Sequence, residues 1–188
     1  MIDIEIVQFS SFIFFLFELV LMIVKRSKKD GYKVRSDKKS LVLLWITIPV
    51  SLTLGFLAAN YQKWNITNQS IAFLGLAIYL SGFIIRLVSI RQLKHGFTVD
   101  VVVADNHKLK TDGLYKYIRH PSYLGLLLIC FGLSVAMNSI FSLSVVIVPV
   151  FLALTYRIKI EESILTKEFG ETYLNYMSGT CRMIPNVY

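Results

Sequence analysis

Apolar residues run along this chain in five blocks set apart by polar links. A membrane-crossing helix needs about 20 mostly apolar residues. Ile4 to Val24 meets that length, as do Leu41 to Ala59, where Pro49 predicts a kink, and Ile71 to Ile90. Two more blocks, Ser122 to Met137 and Ile140 to Tyr156, meet at Met137-Asn138-Ser139. So short a connection predicts an antiparallel helical hairpin, with both arms somewhat short for a full crossing. The expected fold is all-α, a multi-pass transmembrane helical bundle of about five spans. Residues 1–94 carry the first three helices. Residues 95–188 hold a long polar segment, the hairpin 122–156 and a C-terminal helix.

The tail after Tyr156, RIKIEESILTKEFGETYLNYMSGTCRMIP, is too polar to span. Ile160, Ile164, Phe169, Tyr173 and Tyr176 recur near helical spacing, which predicts an amphipathic helix leaving the membrane and lying along its interface. Gly170 interrupts it at about 1 kcal/mol relative to alanine. Gly75 and Gly82 sit seven residues apart, as do Gly125 and Gly132. Seven residues is close to two turns, so each pair predicts a helix face for close packing.

Composition supports the membrane reading. Hydrophobic residues make up 55% of the chain and charged residues 17%, against about 25% in an average soluble domain. A net charge of +8 alone is compatible with nucleic acid, but the bases flank apolar blocks, a pattern of orientation and anionic-lipid contact. Lys and Arg gather in 25–39, 91–120 and the tail, and are sparse at the N-terminus, in 60–68 and at 138–139. This predicts the N-terminus outside, with the polar segment and C-terminus cytoplasmic. The acidic start MIDIEIV lacks a cleavage pattern, so the first block is expected to be a retained helix. Cys130 and Cys181 show no metal or disulfide spacing. Asn65-Ile-Thr and Asn68-Gln-Ser match the glycosylation pattern, but a link so short and so near the membrane favours chance.

The stretch KYIRHPSYLG, residues 116–125, carries candidate chemistry. Pro121 suits the first turn of a helix, where its missing N–H costs nothing. It holds Arg119 and His120 at a defined depth and leaves first-turn N–H groups near Ser122 and Tyr123 for a polar ligand. Anchoring accounts for Arg119 alone, but not for His120-Pro121-Ser122-Tyr123 with Tyr115 and Tyr117. Arg157 and Glu161 lie one turn apart where the last apolar block ends. A surface pair of that kind contributes only about 0.2–0.5 kcal/mol, and Arg before Glu is the weaker order. Ionisable groups at the edge of a bundle interior are functional candidates. Glu162 points about 100° away, so only one of the two acids shares the Arg157 face.

The run from His107 through Gly113, Tyr115, Arg119-His120-Pro121-Ser122-Tyr123 and Gly125, then Arg157-x3-Glu161-Glu162 and Phe169-Gly170-x2-Tyr173-x2-Tyr176 before Arg182 and Pro185, resembles the isoprenylcysteine carboxyl methyltransferases. These are membrane enzymes that use S-adenosyl-L-methionine (SAM). The likeness spans residues 95–186 in order and spacing; the first three helices add only a compatible count. Phospholipid N-methyltransferases and sterol reductases share part of the His-Pro-x-Tyr pattern. The resemblance implies cofactor contacts on His107, Lys108, Leu109 and Lys110, on Tyr115, on His120, Pro121, Ser122 and Tyr123, and on Glu161. It implies Arg157 as the contact for a substrate carboxylate, so that Arg157 and Glu161 form the catalytic pair. Lys108 and Lys110 stand where relatives often carry uncharged residues, and Leu114 replaces a frequent proline.

The residue chemistry fits this. Glu161 suits the ammonium of SAM, tyrosine faces its sulfonium, and His120 its carboxylate or ribose. No glycine-rich turn follows a strand, which excludes a soluble dinucleotide-type site. A carboxylate acceptor is ionised at neutral pH and needs no base, only alignment by a planar donor fork such as Arg157. The expected partners are membrane lipids and a lipophilic or prenylated acceptor reaching the site sideways from the bilayer, with no metal and no nucleic acid. Three alternatives stay open. An amine acceptor would require a base, for which His107 and His120 are available. A reductase using NADPH is the second, and a non-catalytic bundle, in which Arg157 and Glu161 simply pair, the third.

Overall fold

Residues 4–24, 38–60, 68–93 and 109–184 are described in the computed structural model. They form α1 (Ile4–Val24), α2 (Lys38–Ala59), α3 (Gln69–Leu93), a 3-10 turn (Gly113–Lys116), α4 (Pro121–Ala136), α5 (Ile140–Phe169) and α6 (Glu171–Ser178). Among the described residues there is no strand; Ile118 and Cys181 form an isolated bridge. α1, α2, α3 and α5 are long and apolar enough to cross a membrane. α4, with 16 residues, reaches about 24 Å, short of a hydrocarbon core of about 30 Å. It is the most enclosed helix, with Ile129, Cys130 and Leu133 fully buried. α2 continues through Pro49.

Phe9, Ile23, Ile84 and Leu152 are all more than half exposed on the outer faces of the long helices. In water such a belt would drive association, whereas in hydrocarbon it is the ordinary solvent face. The chain is an integral membrane protein.

Backbone approach sets the centre of the bundle. A Cβ on Gly132 would lie 2.3 Å from the Tyr79 nitrogen, and one on Gly82 2.7 Å from the Ile129 nitrogen. Gly75 and Gly125 meet the opposite backbone in the same way. The two glycine pairs predicted for packing therefore face each other, and α3 and α4 run antiparallel in contact.

Polar ties orient the remaining helices. The Tyr79 hydroxyl donates to Ser10 O at 3.1 Å, and Arg86 pairs with Glu18, so α1 runs parallel to α3. Ser142 Oγ donates to Gly55 O and Arg157 Nη1 to Ser40 Oγ, both at 2.7 Å, so α2 runs antiparallel to α5. The turn from α4 to α5 uses Asn138 at φ 57°, a left-handed conformation asparagine tolerates, and Ser139 caps α5 by accepting from Ser142 N. Direction thus alternates from α1 to α5. The start of α2 and α4 and the end of α1, α3 and α5 share one end.

α5 continues as one helix past the apolar block and stops at Gly170, whose φ of 52° ends it and begins α6. The tail then folds back. Arg119 N donates to Cys181 O at 2.8 Å, His120 N to Arg182 O at 3.0 Å, and Cys181 N to Tyr117 O at 3.0 Å. Tyr173 and Met183 are buried, so part of the apolar seam read in the tail packs inside the protein.

Gly132→Ala should lower the detergent melting temperature by an amount equivalent to about 1–3 kcal/mol, because backbone must shift to admit the methyl. Gly179→Ala, where nothing lies within 4 Å, should leave the melting curve unchanged.

Candidate active site

The first turn of α4 and the polar extension of α5 meet at Tyr123. Its hydroxyl donates to Glu161 Oε2 at 2.7 Å and accepts from Arg157 Nε at 3.2 Å. Arg157, 1% exposed, is also held by Ser40 at the start of α2. Arg157 and Glu161 are therefore joined through a phenol rather than lying idle on a surface. His120 is buried and stacks on Tyr123 with ring centroids 5.7 Å apart. Its Nδ1 is 3.9 Å from Glu161 Oε1 and its Nε2 3.5 Å from Glu162 Oε1. Pro121 takes the first helical position, as its sequence context predicts. The free amide expected at Tyr123 is not free, because its N–H donates to His120 O at 3.1 Å.

Glu162 serves the opposite face, as the 100° step requires. It is buried and accepts from Arg119 Nε at 3.0 Å and from Arg182 Nε at 2.9 Å. Arg119 Nη1 also donates to Met177 O at 2.9 Å and to Thr180 O. Arg119 is thus an internal clamp between the α4 start, α5 and the tail, a role beyond membrane anchoring. Sequence reasoning missed this because Arg182 and Arg119 stand far from Glu162 along the chain. The one local signal was a second acid directly after Glu161.

The segment before α4 rests on the end of α3. Gln92 Oε1 accepts from Leu114 N at 2.9 Å, and the Tyr115 hydroxyl donates to Ser89 O at 3.4 Å. A proline at 114 would lack that N–H, so the departure to Leu114 gains a tie to α3. Gly113, at φ 61°, lies against Gln92, where a Cβ would come within 2.6 Å of Oε1. The Tyr115 carbonyl accepts from the Tyr176 hydroxyl at 2.6 Å. Burial, with Glu161 adding, raises the Tyr115 hydroxyl above its ordinary range, so it stays a donor. Burial pushes Tyr176 up to about 12, with Arg119 pulling the other way.

The structure brings together Tyr115, His120, Pro121, Ser122, Tyr123, Arg157 and Glu161 at one end of the bundle. Leu109 is half-buried beside them in sequence, and Lys110 pairs with Asp112 at 2.5 Å without a bond to the cluster. His107 and Lys108 lie outside the described residues. Two participants went unread in the sequence. Arg86 and Glu18, single charges inside apolar helices, form a bonded pair that reaches Ser122. Their signal was an ionisable residue at membrane depth.

Fold and site together define a polytopic helical membrane protein with a charged cluster where its helices converge. The sequence profile of the Isoprenylcysteine carboxyl methyltransferase (ICMT) family matches residues 74–167, from α3 through the Glu161–Glu162 pair. The chain belongs to the isoprenylcysteine carboxyl methyltransferase family. Protein-S-isoprenylcysteine O-methyltransferase A of Arabidopsis thaliana is 32% identical over 128 residues, 67% of this chain and 62% of that protein. The Schizosaccharomyces pombe protein-S-isoprenylcysteine O-methyltransferase is 29% identical over 137 residues, 72% and 54% of the two chains. A solved structure of the eukaryotic intramembrane Ras methyltransferase ICMT shares the fold, with TM-score 0.60, 24% identity and coverage of 79% of this chain and 51% of that one. The chain spans about half to three-fifths of the length of these relatives.

Glu162→Ala removes the buried carboxylate that Arg119 and Arg182 share, and the loss should be on the order of 3–5 kcal/mol. Limited proteolysis should then cut within 171–184. Glu168→Ala, on an exposed position of the same helix, should leave the tail protected.

Proposed function

We propose that this protein is an integral membrane SAM-dependent methyltransferase that esterifies the carboxylate of a lipophilic, isoprenylcysteine-like acceptor. The observation that carries the reading is the Tyr123 hydroxyl, bonded at once to Glu161 and Arg157. One acidic and one cationic group are thereby held side by side at the membrane edge, which suits a cationic donor next to an anionic acceptor.

The residues fit the cofactor. Among the described residues, the Tyr173 hydroxyl is buried without a hydrogen-bond partner and His120 Nε2 has only its 3.5 Å contact with Glu162; burial with the charges of Glu162 and Glu161 raises the Tyr173 hydroxyl, which keeps its proton. Buried polar atoms of this kind normally have partners, so both mark places for a polar ligand. Glu161 would hold the ammonium of SAM. His120 and Ser122 would hold its carboxylate or ribose, with Tyr115 and the 107–110 segment around the remainder. When bound, SAM supplies a methyl group on a positively charged sulfur.

The chain's own work is placement. Arg157 would take the acceptor carboxylate on its planar fork, whose position is fixed by Tyr123 and Ser40. The carboxylate is ionised at neutral pH, so the protein need supply no base. Holding the two reactants in line and partly desolvated supplies the rate. The acceptor's chain would stay in the bilayer beside the helices. The cluster lies at the end of the bundle where α1 and α3 finish and α2 begins, the helix ends that border the Lys- and Arg-rich stretches in sequence, which supports a cytoplasmic site and an external N-terminus.

Glu161→Gln should abolish SAM binding by calorimetry, whereas Arg157→Ala should spare it and remove turnover. Equal loss of cofactor affinity in both variants would refute that division of labour. Membranes incubated with methyl-labelled SAM should release the label as methanol on mild alkaline treatment, as a methyl ester does; alkali-stable label in a phospholipid headgroup would favour an amine acceptor instead.

A further inference from the structure

The Glu18–Arg86 pair lies on two helices outside every motif that carries the chemistry. Arg86 Nε bonds Glu18 Oε1 at 2.5 Å and Nη2 bonds Oε2 at 2.6 Å, a bidentate pair. The remaining nitrogen, Nη1, donates to Ser122 O at 3.1 Å and to Ser122 Oγ at 3.0 Å. Arg86 is 7% exposed, deep in an apolar helix. Its backbone cannot move sideways, since a Cβ on the facing Gly125 would lie 2.7 Å from the Arg86 nitrogen. With the backbone pinned, the direction of the guanidinium is set by the two oxygens of Glu18.

The consequence falls on Ser122. Its oxygen accepts from Arg86, and its hydroxyl donates to no protein acceptor among the described residues. The hydroxyl proton is thus turned away from Arg86 and left for an external acceptor oxygen. We propose that Glu18 and Arg86 are positioning residues for the methyl-donor pocket. Glu18 aims Arg86, and Arg86 fixes the start of α4 and orients the Ser122 hydroxyl as a donor to a carboxylate or ribose oxygen. This rests on the SAM reading. It makes α1, which contributes no residue to the catalytic cluster, a determinant of cofactor affinity.

The test is SAM affinity by calorimetry, read beside melting temperature, on the full chain in lipid nanodiscs. Arg86→Lys keeps a cation opposite Glu18 but cannot hold both of its oxygens and reach Ser122. It should weaken SAM binding about tenfold while the melting temperature stays near wild type. Glu18→Gln and Ser122→Ala should each weaken binding, and the double variant should be no weaker than Ser122→Ala alone, because Glu18 acts through Ser122. Wild-type affinity in Arg86→Lys, or additive losses in the double variant, would overturn the proposal while leaving the methyltransferase reading intact. A wild-type protein that binds no SAM would remove both. Should Arg86→Lys fail to fold, the Glu18–Ser122 cycle decides alone.

Discussion

A single phenolic hydroxyl joins the two chemical halves of this molecule. Tyr123 comes from the first turn of α4, Glu161 and Arg157 from successive turns of α5, and one oxygen touches both. Such a junction tolerates little error, since a hydrogen bond weakens steeply beyond its narrow range of distance and angle. The rest of the bundle can be understood as what holds the two helix ends to that tolerance. Glycines let α3 and α4 touch along their backbones, and the Asn138–Ser139 turn returns α5 beside α4. Pro121 fixes where α4 begins, and Ser40 braces Arg157 from a third helix.

A protein that lives in hydrocarbon must account for every buried charge, because desolvation is severe and water is not at hand. Here the charges are grouped rather than scattered. Arg119, Arg182 and Glu162 satisfy one another and carry backbone carbonyls of the tail. Glu18 and Arg86 pair at membrane depth and lend a donor to Ser122. Glu161 is different, being linked among the described residues only through the neutral Tyr123 and lying near His120 at a distance too long for a strong bond. The acid expected to meet a ligand is the one the fold ties least tightly. The adjacent Glu162, bonded by both Arg119 and Arg182, carries the structural load.

Much of the fold was legible because lipid imposes long, unbroken apolar lengths. The bounds of α1, the hairpin at 137–139 and a close-packing face for each glycine pair all follow from spacing along the chain; that the two pairs face each other does not. The convergence of His120, Tyr123, Arg157 and Glu161 was legible too, since each motif sits next to a membrane exit on the same side. What stayed hidden depends on partners remote in sequence. Glu162 reads as a spare acid until Arg119 and Arg182 close on it. Arg86 and Glu18 pass unread as single charges in apolar helices until α1 lies beside α3. The Tyr123 amide reads as a free first-turn donor until the His120 carbonyl takes it. Leu114 reads only as a departure from a frequent proline until Gln92 accepts its N–H. Periodicity reports which face is apolar, not which distant side chain satisfies a given atom.

The claim beneath all of this is that the ends of α4 and α5 wrap a common methyl-donor pocket. Ultraviolet cross-linking of tritiated SAM to the purified protein, followed by peptide mapping with excess unlabelled SAM as competitor, tests it most directly. The account predicts competable label on the peptides holding Tyr123 and Glu161, from the two helix ends that meet there. Label confined to α1 or α2, or label that unlabelled SAM does not displace, would contradict it.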